Sequence, residues 1–319
     1  MSKNRIYARL GHSGSIFGML LIDAVKQNDK IVVLSADMSS PAGLDRFKGM
    51  HTDKFFNVGI AEQNMLGVAA GMASEGYKVI CVAQACFLSM RSFEQIRQYL
   101  GYMKSNVILV GINSGFALTF FGNTHYAIED IAVIRTVPNI TIIAPSDAQM
   151  AVKAFEAALK HDTPTYIRLA GGLNTTVVYD DELDYQTGRA IQLREGSDIS
   201  IIATGTMVAN AIQTREMLLN EDIHCSITDM HTIKPLDKEA LKKCMSAKLV
   251  ITIEEHSIIG GLGGAVAEYL SEQGNTPPLL RLGIQDKFLK PASYESLIKQ
   301  SGLSSQDCFN SILEKYRSL

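Results

Sequence analysis

The sequence predicts an α/β chain of two doubly wound domains with mainly parallel sheets. Three observations carry this. Short runs rich in Val and Ile alternate with stretches of helical periodicity along most of the chain. That is the pattern of parallel strands joined by helices that cover both faces of a sheet. The rhythm breaks at the polar and acidic stretch LNTTVVYDDELDYQTGRAIQLREGS, residues 173–197. One unit is therefore placed at 1–178, a linker at 179–188 and a second unit at 189–319. Finally, 319 residues with 46% apolar side chains are enough for each unit to bury a core.

In the first unit KIVVLSADM (30–38) reads as a buried strand followed by a loop, and EQNMLGVAAGMASEG (62–76) as a helix ending at Gly76. YKVICVAQA (77–85) is a strand, MRSFEQIRQYLGYM (90–103) a helix and NVILVGINSG (106–115) a strand. AIEDIAVIRTVP (127–138) is a helix stopped before Pro138, because proline disfavours helical backbone at the residue preceding it. NITIIAPSD (139–147), AQMAVKAFEAALK (148–160) and TPTYIRLAGG (163–172) continue as strand, helix and strand. In the second unit DISIIATGTMV (198–208) is a strand and ANAIQTREMLLNE (209–221) a helix. IHCSITDMHTIKPLD (223–237) is a strand with a loop, and KEALKKCMSA (238–247) a helix. KLVITIEEHS (248–257) is a strand, and GGLGGAVAEYLSEQG (260–274) a turn and helix.

A net charge of −3 without a long basic run gives no support for a nucleic-acid or membrane-surface partner. The five cysteines are scattered without a C-x-x-C pair, which reads as reduced thiols and not as a disulfide frame or zinc site. The start, MSKNRIYARLGHSG, lacks the apolar core of a signal peptide, and no apolar run reaches membrane-spanning length. The expectation is a cytoplasmic protein.

GGLGGAVAEYL (260–270) invites a dinucleotide reading but fails G-x-G-x-x-G, because Val266 stands at the last required position. It reads as a glycine-rich turn into a helix. No GDG or Walker A pattern is present to hold a diphosphate and Mg²⁺. His231 and His256, at strand ends, read as structural. Glu62 is different: one carboxylate in FFNVGIAEQNMLGVAAGMA (55–73), among Gly, Ala, Ile, Val and Met. Burying it is costly unless it is paired, and its position also suits a helix cap or a partner of the helix dipole.

Taken whole, this stretch resembles the pyrimidine-binding domain of the transketolase family of thiamine-diphosphate enzymes. VVLSADM (32–38), SFEQIRQ (92–98), GNTHYAIEDIAVIRTVPNITIIAPSDAQ (122–149), PTYIRLAGG (164–172), MHTIKPLD (230–237) and EEHSIIGGLGGAVAE (254–268) agree in order and spacing, so the resemblance covers nearly the whole chain. It implies a pyrimidine-binding domain followed by a transketolase C-terminal domain. It also implies the C-terminal subunit of a split transketolase, with a separate chain supplying the diphosphate-binding domain and the Mg²⁺ ligands in an α2β2 heterotetramer. Glu62 matches the glutamate that hydrogen-bonds N1′ of the aminopyrimidine, and an apolar pocket there is expected to raise its pKa. Phe87 matches the aromatic that the ring packs on. Gln84 stands where many relatives carry a second aromatic, and Asp37 and Ile60 fall in the other cofactor-binding segments. His125, in GNTH, matches a histidine that faces substrate hydroxyls.

The resemblance also shows departures. Gly14 falls where sugar-phosphate transketolases carry an arginine, Asn113 replaces a histidine, and Phe121 replaces an acidic residue that reads a hydroxyl. Arg168 is left as an exposed anion-binding candidate. These changes imply a modified, branched, sulfonated or nucleotide-linked sugar. Alternative readings are the β-subunit of a 2-oxoacid dehydrogenase, a deoxyketose-phosphate synthase, and a non-catalytic subunit that stabilises its partner.

Overall fold

The apolar runs become two sheets. The computed structural model describes residues 3–170 and 172–319. The first sheet contains β1 (Ile31–Ser35), β2 (Phe55–Asn57), β3 (Lys78–Gln84), β4 (Val107–Ser114), β5 (Thr141–Ile143) and β6 (Thr165–Ala170). The second contains β7 (Ile191–Arg194), β8 (Ile199–Ala203), β9 (Cys225–Asp229), β11 (Leu249–Ser257) and β12 (Leu279–Ile284). A further strand, β10 (Thr232–Lys234), crosses from the second half of the chain to the first sheet.

The order in the first sheet is β10-β5-β6-β4-β3-β1-β2, and in the second β12-β11-β8-β9-β7. All pairings are parallel except β10 with β5 and β7 with β9. Successive side chains of each strand enter opposite apolar layers. In the first sheet Val32, Leu34, Val79, Cys81 and Leu109 face one way. Ile31, Val33, Ile80, Val82 and Ile108 face the other, against Phe17, Phe47 and Phe155. The former layer continues into Met230, Ile233, Leu262 and Val266, so one apolar core joins the two halves of the chain.

Four local features differ from the sequence expectation. The short strand β2 went unread because three edge residues carry no periodicity. Stretch 223–237 is two strands in different sheets, β9 and β10. The polar stretch 173–197 contains β7, an antiparallel edge strand whose alternate side chains stay exposed. The helix expected over 90–103 starts earlier and is interrupted, with wide π-helical turns at Phe87–Arg91 and Ile96–Tyr102. Ser89 and Ser92 donate their hydroxyls to the carbonyls of Ala85 and Leu88, four residues back, which competes with regular helical bonding.

In each sheet one pair of neighbouring strands sends the chain away in opposite directions. From β1 it goes outward to β2, then returns past β1 to β3. From β8 it goes to β9, then returns past β8 to β11. These reversals open crevices at the carboxyl ends of the strands, where ligands of doubly wound sheets bind.

Candidate active site

The crevice of the first sheet gathers most of the residues singled out in the sequence. Asp37 follows β1 with φ 58°, a left-handed conformation. It is tied to the last residue of β2 by two hydrogen bonds: Asn57 Nδ2 donates to Asp37 Oδ1, and the Asp37 N–H donates to Asn57 Oδ1, both at 3.0 Å. Ile60 projects from the loop that follows β2, 73% exposed. Glu62 opens the helix Glu62–Ser74 and is 2% exposed. Its carboxylate does not cap the helix. It accepts instead from Arg91, whose Nη1 lies 2.9 Å from Oε1 and 2.8 Å from Oε2. The expected apolar pocket therefore carries a counter-charge.

Arg91 closes the wide turn that begins at Phe87, and its guanidinium lies 4.2 Å from the centre of the half-buried Phe87 ring, in cation–π range. His125 stands edge-on to Phe87 at 5.3 Å and tilted against Phe121 at 4.9 Å. Its Nδ1 is 2.9 Å from Thr124 Oγ1. Gln84, buried at the end of β3, donates to the His125 carbonyl at 3.2 Å, so it holds the loop that carries the imidazole. Glu62, Arg91, Phe87, His125, Phe121 and Gln84 thus form one continuous cluster. Phe120 and Phe121 extend it into solvent, 78% and 63% exposed.

Asn113 lies near the end of β4, in left-handed backbone with φ 55°, where the pairing of β4 with β6 slips between Gly111 and Ser114. Arg168 corrects an expectation. It is 7% exposed, with Nε 2.8 Å and 3.1 Å from the oxygens of Asp130, and its Nη2 donates to the carbonyls of Ala127 and Glu255. Tyr166 donates to the same Asp130 at 2.7 Å. Arg168 is a buried cross-brace between the two halves of the chain, not an exposed arginine free to grip an anion.

The glycine-rich turn has its own occupant. Leu262 and Gly263, at the start of their helix, donate backbone N–H groups to Glu254 at 2.7 Å each. Burial pushes the Glu254 carboxyl up to about 7, against the pull of those two donors. His256 packs beside it, and burial lowers its imidazole to about 4.

Residues 13–174 match the family model of the transketolase pyrimidine-binding domain, and residues 188–308 match that of the transketolase C-terminal domain. The chain belongs to the transketolase family. It is 37% identical to a transketolase C-terminal section of Methanocaldococcus jannaschii, covering 94% of this chain and 95% of that protein. A 6-deoxy-6-sulfo-D-fructose transketolase subunit of a Clostridium species is 38% identical, with 90% and 89% covered. A solved split-gene transketolase, an inactive β4 tetramer, has a TM-score of 0.84 at 36% identity, covering 95% of this chain and 97% of that one.

Membership of the transketolase family implies dependence on thiamine diphosphate. Glu62 and Phe87 fit its aminopyrimidine: a buried carboxylate that can accept from a ring N–H, beside an aromatic face. Arg91, which stands on that carboxylate, has a side chain 42% exposed and can turn toward solvent. Among the described residues no group of three His, Cys, Asp or Glu is arranged to hold a metal ion, and no helix is long and apolar enough to cross a membrane.

Sequence reasoning missed Arg91 and Asp130. Arg91 lies 29 positions from Glu62, so no spacing rule links them. The available signal was charge balance, since a buried carboxylate calls for a cation. Several arginines are near enough in sequence to serve, and only the fold selects one.

Proposed function

We propose that this chain is the pyrimidine-binding subunit of a two-chain transketolase. With a separate subunit that holds the diphosphate and Mg²⁺, it transfers a two-carbon ketol unit from a ketose to an aldehyde or keto acceptor. The observation that carries the reading is the buried Glu62 carboxylate beside the Phe87 ring, in the crevice between β1 and β3. When bound, thiamine diphosphate supplies the nucleophilic carbon for this chemistry. Glu62 would hold the pyrimidine at N1′ and exchange a proton between its carboxyl and that nitrogen. Phe87 orients the ring. Arg91, half-exposed on the carboxylate, would have to release it for the ring to bind. His125, fixed by the Gln84 bond to its carbonyl and by Thr124, faces the substrate hydroxyls.

The split-gene relative solved as an inactive β4 tetramer supports a chain that is idle without its partner. Two copies of each subunit in an α2β2 assembly, in the cytoplasm, complete the proposal. The substrate is a non-standard sugar. Gly14, Asn113 and Phe121 offer no cation, and Arg168 is engaged by Asp130. The relative named for a sulfonated fructose lends this support.

The test is reconstitution with a partner encoded nearby, followed by NMR measurement of hydrogen exchange at C2 of the bound cofactor. Glu62→Gln is expected to slow that exchange about 10²-fold or more while assembly persists. Unchanged exchange would remove Glu62 from the chemistry. Native mass measurement reads the stoichiometry, and a fully active one-to-one pair would refute the tetramer.

A further inference from the structure

A sizeable cavity among the described residues lies away from Glu62. A space of about 630 Å³ lies between the two halves of the chain, within the size range of small-molecule sites. It is lined by none of Glu62, Phe87, His125, Phe121, Gln84, Asp37 or Asn113. Its walls are the carboxyl ends of strands from both sheets: Ser114 ends β4 and Ser146 follows β5, while Thr206 and Asn210 follow β8 and Glu255 nears the end of β11. The stretch between β8 and β11 is the reversal point of the second sheet, so the cavity occupies the position where that architecture places a ligand.

Among the described residues, the lining has one buried side chain with no hydrogen-bond partner. His12 follows Gly11, where the N-terminal helix kinks with φ 68°. It lines the cavity, is 1% exposed, and neither ring nitrogen has a hydrogen-bond partner among the described residues. A buried polar group left unpaired is costly, so two unmatched nitrogens beside a cavity mark a missing partner. Burial lowers this imidazole to about 4, so at neutral pH it is uncharged, with one N–H to donate and one lone pair to accept. Glu255 sets the local charge. Its Oε1 accepts from the Phe116 N–H at 2.7 Å, and its Oε2 accepts from Thr206 at 2.9 Å and from Tyr294 at 2.7 Å. Glu295 adds a second carboxylate, and among the described residues no lysine or arginine lines the space. A phosphate or sulfonate would meet like charge and no cation. Hydroxyl groups would meet His12 and the Ser, Thr and Asn side chains of the walls, which can both donate and accept.

We propose that this interdomain cavity is a binding site for an uncharged polyhydroxylated small molecule, such as an unphosphorylated sugar or polyol, held by His12 and bridging the two domains. The inference stands apart from the catalytic reading and does not depend on it. The test uses the full chain, titrated by calorimetry and by thermal unfolding with D-ribose, D-fructose, xylitol and myo-inositol, and in parallel with ribose 5-phosphate and putrescine. The expected result is saturable binding of at least one neutral compound with a rise in unfolding midpoint, and none for the phosphate ester or the diamine. His12→Phe keeps a ring but removes both nitrogens, and is expected to weaken binding about tenfold or more, the factor that corresponds to about 1.4 kcal/mol. Ala209→Leu, on the wall that the second half of the chain supplies, adds bulk to the cavity without removing a polar group and is expected to abolish binding. The proposal is overturned if no neutral compound saturates, if the phosphate ester or diamine binds as well as the best neutral compound, or if binding survives both substitutions.

Discussion

Removing Arg91 tests the arrangement at the candidate active site directly. Its Nη1 bridges both oxygens of Glu62 at 2.8–2.9 Å, and the two side chains are 42% and 2% exposed. Opposite unit charges about 4 Å apart attract by about 1 kcal/mol in bulk water and about 4 kcal/mol at an effective dielectric constant of 20. Solvent reaches the guanidinium, so the attraction belongs in the lower part of that range, about 1–2 kcal/mol. Arg91→Leu also leaves a desolvated carboxylate without a partner, and its expected cost is about 2 kcal/mol. For a chain of this size that is a fall in unfolding midpoint of about 3 °C. Glu62→Gln replaces the charge with a neutral amide that needs no counter-ion, and its expected cost is below about 1 kcal/mol. The double variant should then match Glu62→Gln closely, because the buried charge that made Arg91 necessary is gone. The cycle of four proteins, measured by thermal unfolding at fixed pH and ionic strength, is expected to return a coupling of about 1–2 kcal/mol. A coupling below about 0.3 kcal/mol would mean that the pair does not form in solution, and that Glu62 meets the cofactor from a different starting state.

Four further outcomes follow from packing and burial. Gly261→Ala would put a Cβ 2.1 Å from Glu254 Oε2 and 2.6 Å from His256 Nδ1, so it should displace Glu254 from its two backbone donors and destabilise the chain by about 3 kcal/mol. Gly264→Ala, whose Cβ finds its nearest neighbour at 3.7 Å, should be neutral or gain up to about 1 kcal/mol as a helix interior position; urea unfolding of the pair separates steric from helical effects. Arg168→Leu strands Asp130 at 0% exposure and should cost about 3–5 kcal/mol, read as lost soluble yield and a lowered urea midpoint, whereas an arginine on the surface would cost almost nothing. His231 is buried and its imidazole is lowered from 6.5 to about 4. Between those values the unfolded chain binds the extra proton, so this histidine's contribution is complete above 6.5 and is lost as pH falls toward 4. His231→Phe should therefore flatten the stability-against-pH slope in that window by about 1.4 kcal/mol per pH unit, and an unchanged slope would refute the assignment.

How much of this was legible beforehand varies by residue. Glu62 announced itself as a lone acid in an apolar context, and Phe87 and His125 through the motifs around them. Asp37 and Gln84 were placed only by the family resemblance, and both stand at the carboxyl ends of strands that the parallel sheet aligns. Asn113 and Arg168 were correctly located on strands, but location does not give direction. Arg168 lies between the buried Ile167 and Leu169, and only the structure shows that its own side chain is buried and paired as well.

The amino-acid sequence alone determined the two α/β units, the helix that starts at Glu62, and the absence of a recognisable diphosphate motif. These rest on local chemistry: β-branched runs, helical periodicity and the cost of an isolated charge act over a few residues. The tertiary structure alone decided the partners. It joined Arg91 to Glu62 across 29 positions, Asp130 to Arg168 across 38, and Glu255 to Phe116 across 139. It also sent β10 to the other sheet and left His12 facing a cavity that no segment creates by itself. A buried charge or hydrogen-bonding group requires a partner but does not specify which one. That choice depends on how the strands are ordered and how the two sheets meet, and it emerges only when the apolar layers pack.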